Sequence, residues 1–284
     1  MRTVILRNGL ELPLVGWGTW NIQKREEMRD ALFHAYESGY RLIDTAAAYG
    51  NESSMGRAIQ DLSLDRTQLL LQDKLWTTCY GYDKAREACA RSLKKMRTDY
   101  MDVFLMHWPI SVNQSEKWQQ WNSETWRGLE RLYEEGYVKA IGVCNFEEHH
   151  IEALAKSANI MPMVNQIECH PGYTRQSLRI LCDQHGIQVE ASSPLGNGTL
   201  LEQEQLHTLA CAKNKSVAQI CIRWALEKSI ISLPKAVKCD HIRENIAVLD
   251  FEIGETEMAE LDKMPFCGGL MANPDEVIDI GSLQ

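Results

Sequence analysis

The chain has 284 residues, 44% of them hydrophobic and 24% charged, the balance of an ordinary globular protein with a sizeable core. Its 39 acidic and 30 basic side chains leave a formal charge of −9, which argues against a general nucleic-acid binder, whose surface must offer a basic footprint. The 9 cysteines are odd in number, contain no Cys-x-x-Cys pair and sit mostly in apolar runs, as reduced structural thiols do rather than a disulfide frame or a zinc site.

The N-terminus carries no apolar segment of signal-sequence length, and no stretch approaches the ~20 apolar residues of a membrane span. The expectation is a cytoplasmic protein, one domain over residues 1–284, acting on a small molecule rather than on nucleic acid or membrane, as a monomer or weak homodimer.

Asn8-Gly9 between alternating apolar residues predicts a hairpin over residues 3–14. An apolar run at 14–17 follows and ends in Gly18-Thr19-Trp20. Residues 24–38 carry a helical period, with Met28, Leu32 and Ala35 on one face and Gly39 as the stop. The same unit then recurs. Further strands are expected at 41–45, 69–72, 101–106, 138–143, 163–167, 187–191 and 230–233. Helices are expected at 53–61, 83–96, 124–135, 147–156, 174–185 and 216–227, with a polar, Trp-bearing loop at 111–122. The strands are short apolar runs, as strands covered on both faces should be. Eight such units at βαβ spacing predict an α/β fold, a (β/α)8 TIM barrel with an N-terminal β-hairpin. An open doubly wound sheet would want Gly-x-Gly-x-x-Gly after an early strand, and Gly16-Trp17-Gly18 lacks the third glycine.

Catalytic groups of such a barrel lie at the C-terminal ends of its strands. Those ends offer Trp20, Asp44, Lys74, His107, Asn145, Gln166, Ser193 and Lys235. Each has a bland reading alone: Asp44 as a helix N-cap, Lys74 as a solvated loop residue, His107 as a packed core histidine. Tyr49, five residues past Asp44, could simply cover apolar surface. Together, Tyr49, Lys74, Asp44 and His107 suit general acid work. A free phenol is a weak acid, with a pKa of about 10, and a nearby ammonium favours its ionised form. Lys74 would therefore lower Tyr49, Asp44 would hold Lys74, and a neutral His107 would orient a carbonyl.

The motifs GYRLIDTAAAYGNE at 39–52, KLW at 74–76, HWP at 107–109, GVCNF at 142–146, NQIECHP at 165–171, SPLG at 193–196 and PKAVKCDHIRENI at 234–246 run through the whole chain. On these the chain resembles the aldo-keto reductases. The resemblance implies hydride transfer from a reduced nicotinamide to an aldehyde or ketone, with Tyr49 as proton donor and Lys74, Asp44 and His107 in support. It implies that Gly18, Thr19, Trp20 and Asp44 border the cofactor and that Asn145 and Gln166 hold its carboxamide. Ser192, Ser193, Pro194 and Leu195 would follow the nicotinamide and pyrophosphate. Lys235, Glu244 and Asn245 would bind the adenosine half, beside Ala236 and His241. Trp20, Trp76 and Trp108 would wall the substrate pocket, with Trp118, Trp121 and the tail after Met264 as candidates to close it.

Four positions depart from the family pattern. Cys144 replaces a serine, Ser192 an aromatic that stacks on the nicotinamide, Ala236 a hydroxyl residue and His241 an arginine. The last two belong to the 2′-phosphate site, where a mostly neutral histidine offers no planar charged fork. Lys235 remains, so NADP(H) is favoured and NAD(H) stays open. The alternative to an enzyme is a catalytically weak nucleotide-sensing or binding module on the same barrel. His149-His150 shows no partner at ligand spacing and reads as a solvated helix end, with no metal expected.

Overall fold

The computed structural model describes residues 2–110, 115–269 and 272–276. It opens with an antiparallel hairpin, β1 (Thr3–Ile5) and β2 (Glu11–Pro13). Gly9 turns the chain at φ 87°, a conformation that a side chain resists, and Asn8 Oδ1 accepts the Leu10 N–H. Asn8 Nδ2 reaches Lys139 O, and Arg7 reaches Gly186 O. Both carbonyls lie at the N-terminal ends of later strands, so the hairpin covers the end of the sheet opposite the strand C-termini.

Eight parallel strands follow: β3 (Trp17–Gly18), β4 (Leu42–Asp44), β5 (Leu70–Leu75), β6 (Met101–Met106), β7 (Val138–Cys144), β8 (Val164–Glu168), β9 (Gln188–Ser192) and β10 (Ile231–Ser232). Each pairs with its sequence neighbour. The two outer strands then meet. Gly16 N–H donates to Ser232 O, Ser232 N–H to Leu14 O, and Gly18 N–H to Pro234 O, so the sheet curls into the expected (β/α)8 form. A Cβ on Gly18 would stand 3.0 Å from Leu233 O, which is why this seam takes a glycine.

The helices are α1 (Arg25–Glu37), α2 (Glu52–Asp61), α3 (Tyr82–Met96), α4 (Trp118–Glu134), α5 (Glu148–Ala155), α6 (Gln176–Gln184), α7 (Glu204–Lys213), α8 (Val217–Glu227), α9 (Cys239–Ile246) and α10 (Glu255–Asp262). Several bury an apolar stripe in the core, as α1 does with Met28, Ala31, Leu32 and Ala35. Burying one such aliphatic side chain stabilises the fold by about 1.5–3 kcal/mol. Gly56 lets α2 meet the end of α3, since a Cβ there would lie 2.6 Å from Met96 O.

Two features differ from the sequence expectation. The predicted loop at 111–122 is shorter, because α4 already begins at Trp118; its residues 111–114 lie outside the described ones. The helices α7, α9 and α10 are not predicted. α7 buries only Leu206 and Ala210, and α10 only Leu261, too few to mark a helical stripe. Among the described residues no helix is long and apolar enough to cross a membrane.

Candidate active site

Strand register delivers the polar residues to one end of the barrel. β4 stops at Asp44, and a single turn of 3-10 helix, Ala47–Tyr49, folds the chain back. Gly50, at φ 68°, ends that turn and leaves Tyr49 over the barrel mouth. β5 carries Lys74, His107 follows β6, Cys144 closes β7 with Asn145 after it, and β8 carries Gln166. A cavity of about 440 Å³ opens among them, lined by Asp44, Tyr49, His107, Cys144, Asn145 and Gln166. Gly18, Trp20, Trp108, Ser192, Ser193, Pro194, Leu195 and Lys235 extend the same wall.

Lys74 is fully buried, and its Nζ donates to Asp44 Oδ1 at 2.5 Å and to Thr45 O at 2.9 Å. Burial alone works against its charge, but Asp44 and Tyr49 more than offset this and hold the ammonium above its ordinary range. Nζ lies 5.1 Å from the centre of the Tyr49 ring. The expectation of a lowered Tyr49 is corrected here. Lys74 does pull the phenol down, but burial pushes it up by more, so Tyr49 holds its proton more tightly than in water. Burial and then the Lys74 charge push His107 well below 6.5, so its imidazole is neutral. The Tyr49 and His107 rings meet edge-on at 5.8 Å. A protonated phenol and a neutral imidazole therefore flank one point of the cavity, with a paired ammonium behind them.

Beneath this set lies a layer that the strand-end reading does not reach. Gln72 on β5 and Glu190 on β9 are both fully buried. Gln72 Nε2 donates to Asp44 Oδ1 at 2.9 Å and to Glu190 Oε2 at 2.6 Å. Gln166 Nε2 donates to the same two oxygens, at 3.0 Å each. The available signal is a polar residue inside an otherwise apolar strand, in LLLQDKL and in IQVEAS.

Asn145 takes φ 60°, and its Nδ2 donates to His107 O at 3.0 Å. Ser193 takes φ 44°, and its Oγ meets Asn197 Oδ1 at 3.2 Å. Asn21, Asn197, Gly198, Leu233 and Pro234 also line the cavity and carry no distinguishing pattern in the sequence. Thr19 lies behind the wall, its Oγ1 donating to Asp44 O at 2.9 Å. Of the expected adenosine residues Lys235 lines the cavity, whereas Ala236, His241, Glu244 and Asn245 are not in its lining. Lys235 and His241 are exposed, Glu244 is half-buried and Asn245 is buried. Ala236 is buried, and its carbonyl accepts the Trp17 indole N–H at 2.9 Å.

Trp76 and Trp108 form a small apolar cluster with Ala48 and with Ala272 of the tail. The tail approaches that cluster from Gly268, beside Thr199, and Gly269, beside Glu168. Trp118 and Trp121 lie on α4 and do not line the cavity. The Trp118 ring meets His150 edge-on at 4.8 Å, and Trp121 packs on Gly81. The pair His149-His150 is not simply a solvated helix end. His149 is exposed, but His150 is buried, and both Nε2 atoms face Asp275 Oδ1, at 2.7 and 3.2 Å. The tail thus supplies the partner that the local sequence lacks. His150 Nδ1 accepts the Glu147 N–H, which puts the proton of the neutral ring on Nε2, toward Asp275.

Comparison with known proteins gives concordant results. The model of the Aldo/keto reductase family matches residues 14–265. The chain is similar to the glyoxal reductase of Bacillus subtilis, at 41% identity over 97% of each chain. It is also similar to the methylglyoxal reductase DkgA of Escherichia coli, at 39% identity over 96% of this chain and 98% of that one. Among solved structures, an aldo-keto reductase from a Medee basin deep-sea metagenome superposes with a TM-score of 0.89, at 37% identity over 98% of this chain and 100% of the other. A Bombyx mori aldo-keto reductase in complex with NADP superposes with a TM-score of 0.84, at 31% identity over 92% of each chain.

Proposed function

The chain belongs to the aldo/keto reductase family and is an oxidoreductase, and from that premise we infer that it reduces a small aldehyde or ketone with NADPH, Tyr49 delivering the proton. One observation carries this reading: a protonated Tyr49 and a neutral His107 face one cavity while Asp44 pins the Lys74 ammonium behind them. An arrangement of four ionisable groups has no evident use in a module that only binds nucleotide.

The cavity wall fits a nicotinamide. Two primary amides, Asn145 and Gln166, line it, and Gly18 brings bare backbone to its edge. The bound cofactor supplies the hydride. His107 would donate a hydrogen bond to the substrate carbonyl oxygen and polarise it. Tyr49 O–H would pass its proton to that oxygen as negative charge develops there, a transfer worth about 10²- to 10⁴-fold in rate. Lys74 would stabilise the phenolate left behind, and Asp44 would keep Lys74 in reach. Trp20 and Trp108 would exclude water from the reacting carbon. Lys235 would meet the 2′-phosphate, the reason for preferring NADPH.

The relatives named for glyoxal and methylglyoxal make short dicarbonyls the first substrates to assay. The test is a tryptophan-fluorescence titration with NADPH and NADH, followed by turnover with methylglyoxal and with a reactive aromatic aldehyde. Binding of NADPH together with aldehyde-dependent oxidation is expected. A chain that binds the dinucleotide but turns over neither aldehyde would overturn the reading.

A further inference from the structure

We propose that Glu190 is a positioning residue for the cofactor's carboxamide: together with Asp44 it locks the Gln166 side chain so that the amide oxygen, and not the NH2, faces the cavity. The proposal rests on the nicotinamide reading above and concerns a residue that does not itself reach the cavity lining.

The geometry is a closed bridge. Two carboxyl groups, Asp44 on β4 and Glu190 on β9, face each other across the barrel interior with two amides between them. Gln72 Nε2 lies 2.9 Å from Asp44 Oδ1 and 2.6 Å from Glu190 Oε2. Gln166 Nε2 lies 3.0 Å from each of the same oxygens. A primary amide has two N–H donors, and here both are used on each glutamine. Turning the Gln166 amide over would set its oxygen against two carboxyl oxygens that already act as acceptors for the Gln72 amide in a buried site, so the two carboxyl groups fix its sense. The other end of the amide then has one outlet. Gln166 Oε1 lies 3.8 Å from Cys144 Sγ, and both residues line the cavity. What Gln166 presents there is an acceptor, suited to the N–H of a carboxamide.

Asp44 cannot do this alone. Its Oδ1 already accepts Lys74 Nζ at 2.5 Å as well as both glutamines. Without Glu190, one N–H of Gln166 would be buried with no acceptor. Rotating the amide toward the cavity would relieve that, at the cost of presenting a donor where an acceptor is needed. Glu190→Gln keeps one oxygen of the same shape in place and should preserve the lock; Glu190→Leu should release it.

The experiment titrates wild type and both variants with two reduced dinucleotides. One carries the natural carboxamide; in the other, the 3-acetylpyridine analogue, a methyl group replaces the NH2. Wild type should bind the natural cofactor about tenfold more tightly, the size of one unsatisfied hydrogen bond. Glu190→Leu should lose about tenfold for the natural cofactor and less than about twofold for the analogue, while Glu190→Gln should keep the wild-type preference. Equal losses for both dinucleotides in the Leu variant would assign Glu190 a packing role and overturn the proposal. So would a wild type that binds the two alike, a result that stands even if Glu190→Leu does not fold. Wild type that binds neither dinucleotide would instead overturn the cofactor reading, and this proposal with it.

Discussion

Lys74 lies buried behind the cavity wall, the inner end of the site, and Lys235 lines its exposed side, the outer end; each stands at or just past the C-terminal end of a strand, and their surroundings are opposite. Lys74 is 0% exposed, held by Asp44 Oδ1 and Thr45 O, with Gln72, Gln166 and Glu190 completing the layer beneath. Lys235 is exposed, and so is His241 beyond it on α9. A buried charge must be paired and hydrogen-bonded or the fold suffers, so the inner end is organised whether or not a ligand is present. The outer end faces water and carries no such obligation. Substitutions of the buried, paired charges at the inner end should therefore change chemistry and stability together, and those at the outer end affinity alone.

The largest expected effect breaks the inner end at its reacting group. Tyr49→Phe should lower kcat for an aldehyde by about 10²- to 10⁴-fold, the ordinary worth of a positioned general acid. The hydroxyl belongs to a half-buried ring at the cavity wall, so cofactor affinity and the unfolding midpoint should stay near wild type. Retained activity would move the proton donor elsewhere.

The next effect tests whether chemistry and stability are joined there. Lys74→Met leaves the Asp44 carboxylate buried with no cation, which should cost about 3–5 kcal/mol in denaturant unfolding. Adding Asp44→Asn should recover part of that loss, because the two side chains act as a pair. Additive losses in the double variant would show that the pair is not coupled.

The same contrast governs how much of the molecule is legible in its sequence. The barrel is legible because each strand is an apolar run and each catalytic candidate stands where a run stops, as Asp44 does after Leu42 and Ile43. Glu190 and Gln72 stay hidden because they stand inside their runs, where only their partners across the barrel explain them. α9, which carries the adenosine candidates His241, Glu244 and Asn245, escapes because it buries only Ile242 and Asn245. Nothing in the sequence links Asp275 to His149 and His150, since 125 or more positions separate them and only the path of the tail joins them.

A smaller effect sharpens the outer end. His241→Arg combined with Ala236→Ser would add a planar charged donor and a hydroxyl beside Lys235. A charge-assisted hydrogen bond contributes about 1.5–3 kcal/mol at most, and at an exposed site the two substitutions together should raise NADPH affinity by about ten- to a hundredfold. NADH affinity and kcat should not move, and the gain should shrink with added salt because Lys235 and His241 are exposed. Fluorescence titration at two ionic strengths measures both. An equal gain for NADH would mean that the substitutions reshape the pocket rather than meet a phosphate.

The smallest effect returns to Glu190 and concerns stability against pH. Burial, with the Asp44 charge adding to it, pushes this carboxyl up from its ordinary 4.5 to about 7, although the Gln166 and Gln72 amides pull the other way. The folded chain thus keeps a proton that the unfolded chain releases in the intervening range, and stability contributed by Glu190 is full below pH 4.5 and lost as pH rises through 7. Glu190→Gln has no proton to release. The difference in unfolding free energy between wild type and Glu190→Gln should therefore fall as pH rises between these values and be flat above them. Asp73, which burial also pushes up to about 7, adds a slope of the same sign to both proteins, and His107, pushed down, adds one of the opposite sign to both. Both cancel in the difference. A difference that stayed flat from acid to neutral pH would mean that Glu190 remains ionised inside the folded barrel, and the inner end would then hold two full negative charges against the single cation of Lys74.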